Sequence, residues 1–139
     1  MATVFFTDRD LGKQFPAILR DAGLQVERHA DHFAQDCPDP DWLRVIGERG
    51  WIAITHDLNI RYKPNERAAV TAHGVALLVV IGHAPYAELA RAFVTTVPRI
   101  LHFIEQHRPP YIAKVYRPSA SAADGSTAGR IELWYPPNP

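Results

Sequence analysis

The chain has a single cysteine, Cys37, in 139 residues. One thiol cannot close an internal disulfide, so stability must come from a hydrophobic core, and a reducing, cytoplasmic setting is expected. Excess charge of either sign is also missing. Lys plus Arg and Asp plus Glu number 15 each, so net charge offers no argument for nucleic-acid binding, and local clustering must carry any such case. Long apolar runs are lacking too. Val75 to Ile81, the longest, falls well short of the ~20 residues that a membrane-spanning helix needs. The opening residues have neither the basic head nor the extended apolar stretch of a signal peptide. What remains is the expectation of one soluble domain with no membrane partner. An apolar content of 47% in a chain of this length is enough to build a core.

The pattern along the chain is one of strands alternating with helices. Ala2 to Thr7 reads as a buried strand closed by Asp8, and 51–55 as a second apolar strand leading to His56 and Asp57. Between them, Leu11, Phe15, Ile18, Leu19 and Ala22 share one helical face, with Gly23 as the stop. Leu24 to Arg28 reads as a short strand and 29–38 as a loop. Asp39-Pro40 signals a helix start, with Asp39 as N-cap, and Gly50 ends that helix. Pro64 opens another helix that Gly74 closes, and Val75 to Ile81 is an apolar strand suited to burial on both faces. Tyr86 to about His107 is the longest helix, with Pro98 expected to kink or break it. Four such alternations predict an α/β protein with a mainly parallel sheet between helical layers. Residues 1–108 form this main domain. Residues 109–139 are expected to add a C-terminal hairpin or arm, with strands at Tyr111 to Arg117 and Arg130 to Tyr135 around a small-residue loop. Ile131, Leu133 and Tyr135 alternate as one buried face.

Acids fall where this fold collects ligands. Asp8 and Asp57 each follow a central strand, and open α/β sheets bind ligands at the carboxyl ends of their strands. Asp39, at a helix start, is able to converge with them. Two or three carboxylates suffice for Mg²⁺ or Mn²⁺, and such an ion suits phosphate chemistry. Asp10 is read as a cap for a helix at Leu11, and Asp41 is the substitute if Asp39 only caps. Thr55 is placed to orient Asp57 by a hydrogen bond. Arg9, Lys13, Arg61, Lys63 and Arg67 lie beside the same strand ends and are candidate phosphate contacts, although each alone is also an ordinary surface charge. Tyr62 is a candidate base-stacking residue. His29, His32 and Cys37 match no common zinc spacing.

Residues 5–70 resemble the PIN-like domains, in particular the VapC-type toxin branch. The elements that carry the resemblance are a strand ending in Asp8, a helix start Asp39-Pro40-Asp41-Trp42, and a strand ending Thr55-His56-Asp57 with Asn59 two places on. The resemblance implies a three-layer α/β/α fold and a Mg²⁺- or Mn²⁺-dependent endoribonuclease, commonly the toxin of a toxin–antitoxin pair. It also implies an antitoxin bound near the acidic pocket, RNA as substrate and scope for a homodimer. Asp8, Asp39 and Asp57 would then be metal ligands, and these three with Asn59 the catalytic set. Asn59 stands where many members keep another acid, which leaves the metal count open.

Three other functions compete. Asp8-Arg9-Asp10 after a strand also opens haloacid-dehalogenase phosphatases, but the continuation and the late acidic pair of that family are missing. A receiver domain would place a lysine after its fifth strand, whereas Lys114 falls inside a strand. A PIN-like module that binds RNA or protein without cleaving it is the non-enzymatic alternative.

Overall fold

The computed structural model describes residues 2–118 and 128–136. Most of the small-residue loop expected before the last strand therefore lies outside the described residues. The elements run β1 (Val4–Thr7), α1 (Gln14–Asp21), β2 (Gln25–Arg28), α2 (His29–His32), α3 (Asp39–Arg49), β3 (Ile52–Thr55), α4 (Pro64–His73), β4 (Ala76–Val80), α5 (Tyr86–Gln106), β5 (Tyr111–Val115) and β6 (Ile131–Tyr135). Short 3-10 turns, Arg9–Leu11 and Ile60–Tyr62, follow β1 and β3.

The sheet order is β2-β1-β3-β4-β5-β6. The first five strands are parallel and β6 joins β5 antiparallel. Burial follows from the strand sequences. Every residue of Ile52–Thr55 and Ala76–Val80 is buried, as continuous β-branched and apolar runs require when helices cover both faces. One face packs against α1 and α5 through Phe5, Phe15, Leu19, Leu89 and Phe93. The other packs against α3 and α4 through Phe6, Trp42, Leu43, Ile46 and Val70. The three-layer α/β/α expectation holds.

Four local expectations need correction. The helix after β1 does not begin at Leu11: Gly12, at a φ of 67°, separates the 3-10 turn from α1, and that left-handed backbone is what glycine tolerates. Residues 29–38 are not all loop, because His29–His32 forms a helical turn. Its first residue is buried in ring contacts with Phe6, Phe33 and Trp42, which fix the segment. Of the two alternatives for Pro98, the break is not found, since α5 runs continuously from Tyr86 to Gln106. Removing one backbone donor and crowding a carbonyl costs about 3 kcal/mol, but Leu89 and Phe93 before the proline and Ile100 and Phe103 after it are all buried. Finally, Ile131, Leu133 and Tyr135 do not share a face. A bulge opposite Ile112 and Ala113 keeps Ile131 and Leu133 on the α5 side and turns Tyr135 to the α3/α4 side.

Among the described residues, no helix is long and apolar enough to cross a membrane.

Helices α3 and α4 meet at Gly47, where a Cβ would strike the carbonyl oxygen of His73 and come within 3.0 Å of Val75. Gly47→Ala is therefore expected to lower unfolding free energy by about 1–3 kcal/mol, read as a shift in the urea midpoint. An unchanged midpoint would show that the two helices separate without penalty.

Candidate active site at the carboxyl ends of the central strands

The chain leaves β1 toward β2 on one side and later enters β3 and β4 on the other, so the order reverses between β1 and β3. That reversal opens a crevice at the strand ends. Thr7 pairs in register with Ile54, and the Asp8 amide donates to the Ile54 carbonyl at 2.9 Å. The ladder thereby brings Asp8 level with Thr55.

Thr55 is fully buried, and its hydroxyl organises the site. It lies 2.9 Å from Asp8 Oδ2 and 3.2 Å from Asp10 Oδ2, and it accepts the Asp57 amide at 3.1 Å. A threonine has one hydroxyl proton, so Asp8 and Asp10 face one donor that serves a single acceptor at a time. Asp8 also accepts the Arg9 amide, as N-cap of the 3-10 turn. Asp10 accepts the His56 amide and does not cap α1, whose N-cap is Lys13. Thr55 thus orients Asp8 and Asp10 through its side chain and meets Asp57 only at the backbone.

The electrostatic result is strain between like charges. Burial, and then the nearby Asp10 charge, push the Asp8 carboxyl up to about 7, against the hydrogen bonds of Thr55 and Arg9. Burial likewise raises Asp10. The Asp39 charge adds a smaller push on Asp8, and Asp57 on Asp10. The four acids are thus linked in a chain, Asp39 to Asp8 to Asp10 to Asp57, but they are not equally free. Asp39 is the first helical residue rather than the N-cap, which is Pro38. Its Oδ1 accepts from Trp42 Nε1 at 2.9 Å. Asp57 Oδ1 accepts the Asn59 amide and its Oδ2 the Lys63 ammonium, each at 3.0 Å. Asn59 itself is exposed and precedes the second 3-10 turn.

The basic residues divide into different roles. Arg9 is committed: Nε donates to His29 Nδ1 at 2.9 Å and Nη2 to the Phe33 carbonyl at 2.7 Å. Burial and then Arg9 hold the His29 ring below its ordinary value, hence neutral. Lys63 is raised chiefly by its hydrogen bond to Asp57. The Arg61 guanidinium stacks on Tyr62 at 4.8 Å and Trp134 at 5.3 Å. Its Nε and Nη1 are buried without a hydrogen-bond partner among the described residues. Tyr62 is 58% exposed. Lys13 is exposed and lines a cavity beside Asp8, and Arg67 lies over Tyr135. His32 pairs with Glu27, and Cys37 contacts the Pro38 carbonyl, so neither joins His29 in a common cluster.

The test of fit for a metal turns on Asp8 and Asp10. Among the described residues, no group of three or more His, Cys, Asp or Glu side chains is placed to hold a metal ion by itself. Mg²⁺, however, commonly takes one or two protein carboxylates and keeps waters or substrate phosphates for the remainder. Two desolvated carboxylates that share one donor, with Asp39 and Asp57 within electrostatic reach, fit that pattern. The sequence pointed to Asp8, Asp39 and Asp57. It gave Asp10 and Thr55 lesser parts, because the strand register that joins them is visible only in the fold.

A carboxyl whose folded value is raised to about 7 from an ordinary 3.8 retains a proton between those pH values that the unfolded chain has lost. Stability then falls as pH rises through that window, by up to about 4 kcal/mol, and stays lower above it. Asp8→Asn is expected to flatten this dependence and raise the urea midpoint at pH 8 above that of the wild type. Equal slopes between pH 5 and 8 for the two proteins would refute the reading.

With this geometry established, comparison with known proteins is informative. A family model described as "PIN like domain" matches residues 3–82. A protein of Mycobacterium tuberculosis named "Putative ribonuclease VapC45" is 39% identical over 80 residues, which cover 54% of this chain and 58% of that protein. The match thus spans less than two thirds of that relative's length. No solved structure matches the chain. The family match covers more than half of the sequence and includes β1, β3 and all four acids, so the chain belongs to the PIN-like domain family.

Proposed function

We propose that the protein is a metal-dependent endoribonuclease of the VapC type, acting on RNA as the toxin of a toxin–antitoxin pair. The observation that carries this reading is the Asp8–Asp10 pair, held on the Thr55 hydroxyl at the sheet's switch point beside Asp39 and Asp57. Similarity to a named ribonuclease supports the reaction class. Asp8, Asp39 and Asp57 would hold Mg²⁺ or Mn²⁺ in a shell completed by water or RNA phosphate, with Asp10 beside Asp8 as the fourth acid. When bound, the ion neutralises phosphodiester charge and lowers the pKa of water at the site.

The chain's own groups supply the rest. Thr55 fixes the orientation of Asp8 and Asp10. Trp42 holds one oxygen of Asp39, and the other accepts no hydrogen bond from the described residues. Lys63 balances Asp57 without burying it, because the pair is partly exposed and so exchangeable at little cost. Asn59 keeps Asp57 in place through its backbone amide and offers a neutral side chain toward the scissile region. Lys13, Lys63, Arg9 and Arg61 provide positive charge for the RNA backbone. An antitoxin docked over the acids would suppress cleavage, and assembly into a homodimer, with β6 at the sheet edge as its contact, completes the proposal.

The test has two readouts. Mn²⁺ is expected to raise the thermal midpoint of the wild type at pH 8 by mass action and to leave Asp8→Asn unmoved. Cleavage of single-stranded RNA should require Mn²⁺ or Mg²⁺ and fall at least 100-fold in Asp8→Asn, about 2.7 kcal/mol or more of barrier. RNA binding that survives this substitution, without any cleavage by the wild type, would instead favour the non-catalytic binding module.

A further inference from the structure

Asp8 belongs to two environments. One is the acid cluster; the other is a cavity of about 270 Å³ whose wall includes Thr7, Lys13, Arg28, His29 and Gln35. The cavity's charge is the reverse of the cluster's. Asp8 is the single acid in its described lining, whereas Arg9, Lys13 and Arg28 all contribute to it. Thr7 lines the cavity too, but its hydroxyl is buried and has no hydrogen-bond partner among the described residues. His29 accepts Arg9 Nε at Nδ1, so the neutral ring carries its proton on Nε2 and is a donor there. Among the described residues Arg28 is engaged only with Asp31, in a surface pair at 3.1 Å with both side chains partly exposed. Such a pair is exchangeable for a stronger anion.

Size and position narrow the ligand. The cavity lies just under the range of small-molecule sites, which leaves room for one nucleotide and excludes a duplex. Because Asp8 is common to both environments, a strand whose scissile phosphate lies at the acids has its neighbouring nucleotide at this cavity. We propose that the cavity is the subsite for the nucleotide flanking the scissile bond, with its phosphate held by Lys13 and Arg28. This subsite rests on the RNA-cleaving reading for its substrate, but it is tested without cleavage.

The experiment is fluorescence anisotropy with a short, labelled single-stranded RNA in EDTA, as a function of salt. Lys13→Met and Arg28→Met are each expected to weaken binding about 5- to 10-fold at low salt. Each should also make the slope of log K against log salt shallower by about 0.7, the value for one lost phosphate contact on a single strand. Arg44→Met, on an exposed turn of α3 paired with Glu48, should change neither. Lys13 is exposed, so its variant folds whether or not the subsite exists. Unchanged affinity and slope in both cavity variants, or no RNA binding by the wild type, would overturn the subsite. So would inorganic phosphate raising the wild-type thermal midpoint while both variants bind RNA normally, since that marks a small-anion pocket. Cleavage with Mn²⁺ at wild-type KM in both variants overturns the subsite and leaves the nuclease reading standing. Variant-sensitive binding by a protein that never cleaves does the opposite.

Discussion

One buried hydroxyl proton, shared between two carboxylates, is the constraint around which this molecule's functional end is arranged. Thr55 ends a strand buried on both faces, so its side chain has no route to bulk water. Asp8 and Asp10 press on it from the chain segment that leaves β1. Neither carboxylate has a guanidinium or ammonium partner among its described hydrogen bonds, and burial raises both. Perturbed acids in a crevice are a functional signature rather than a structural gain. Asp57, by contrast, is paired by Lys63 at the rim of the crevice.

The fold makes the arrangement possible through register. Parallel pairing of β1 with β3 sets Thr7 against Ile54, and one further residue along each strand reaches the two elements of the site. The helical layers hold that register. Phe5 and Phe6 point to opposite faces of β1 and are buried by α5 and by Trp42 respectively. Trp42 has a second task, because its indole N–H fixes Asp39 while its ring fills the core. A single side chain therefore links core packing to the geometry of an acid at the crevice.

Much of this was legible in the sequence. Apolar runs closed by Asp8 and by His56-Asp57 marked the two central strands, and Gly50 and Gly74 marked helix ends that the structure places in the left-handed region. Asp8, Asp39 and Asp57 were drawn from strand-end and helix-start logic; the charge of Asp39 is felt at Asp8, and that of Asp57 at Asp10. Asp10 was harder to read, because an acid two residues beyond a strand is also an ordinary helix cap. Only the Gly12 break, which delays α1, frees its side chain to turn toward Thr55. The face of Tyr135 was also hidden, since an extra residue in one strand of a pair leaves no mark in an alternating pattern. Arg61 and Trp134 are far apart in the chain, and nothing local announces that one lies over the other.

That last contact carries a mechanical implication. An edge strand near a chain end is ordinarily the first part of a sheet to fray. Here Trp134 of β6 also leans edge-on against Tyr62, so the turn carrying Asp57 and Lys63 is clamped at its far end by the last strand. The segment between Asp57 and Lys63 is thus tied to the outer margin of the sheet by aromatic packing rather than by backbone pairing.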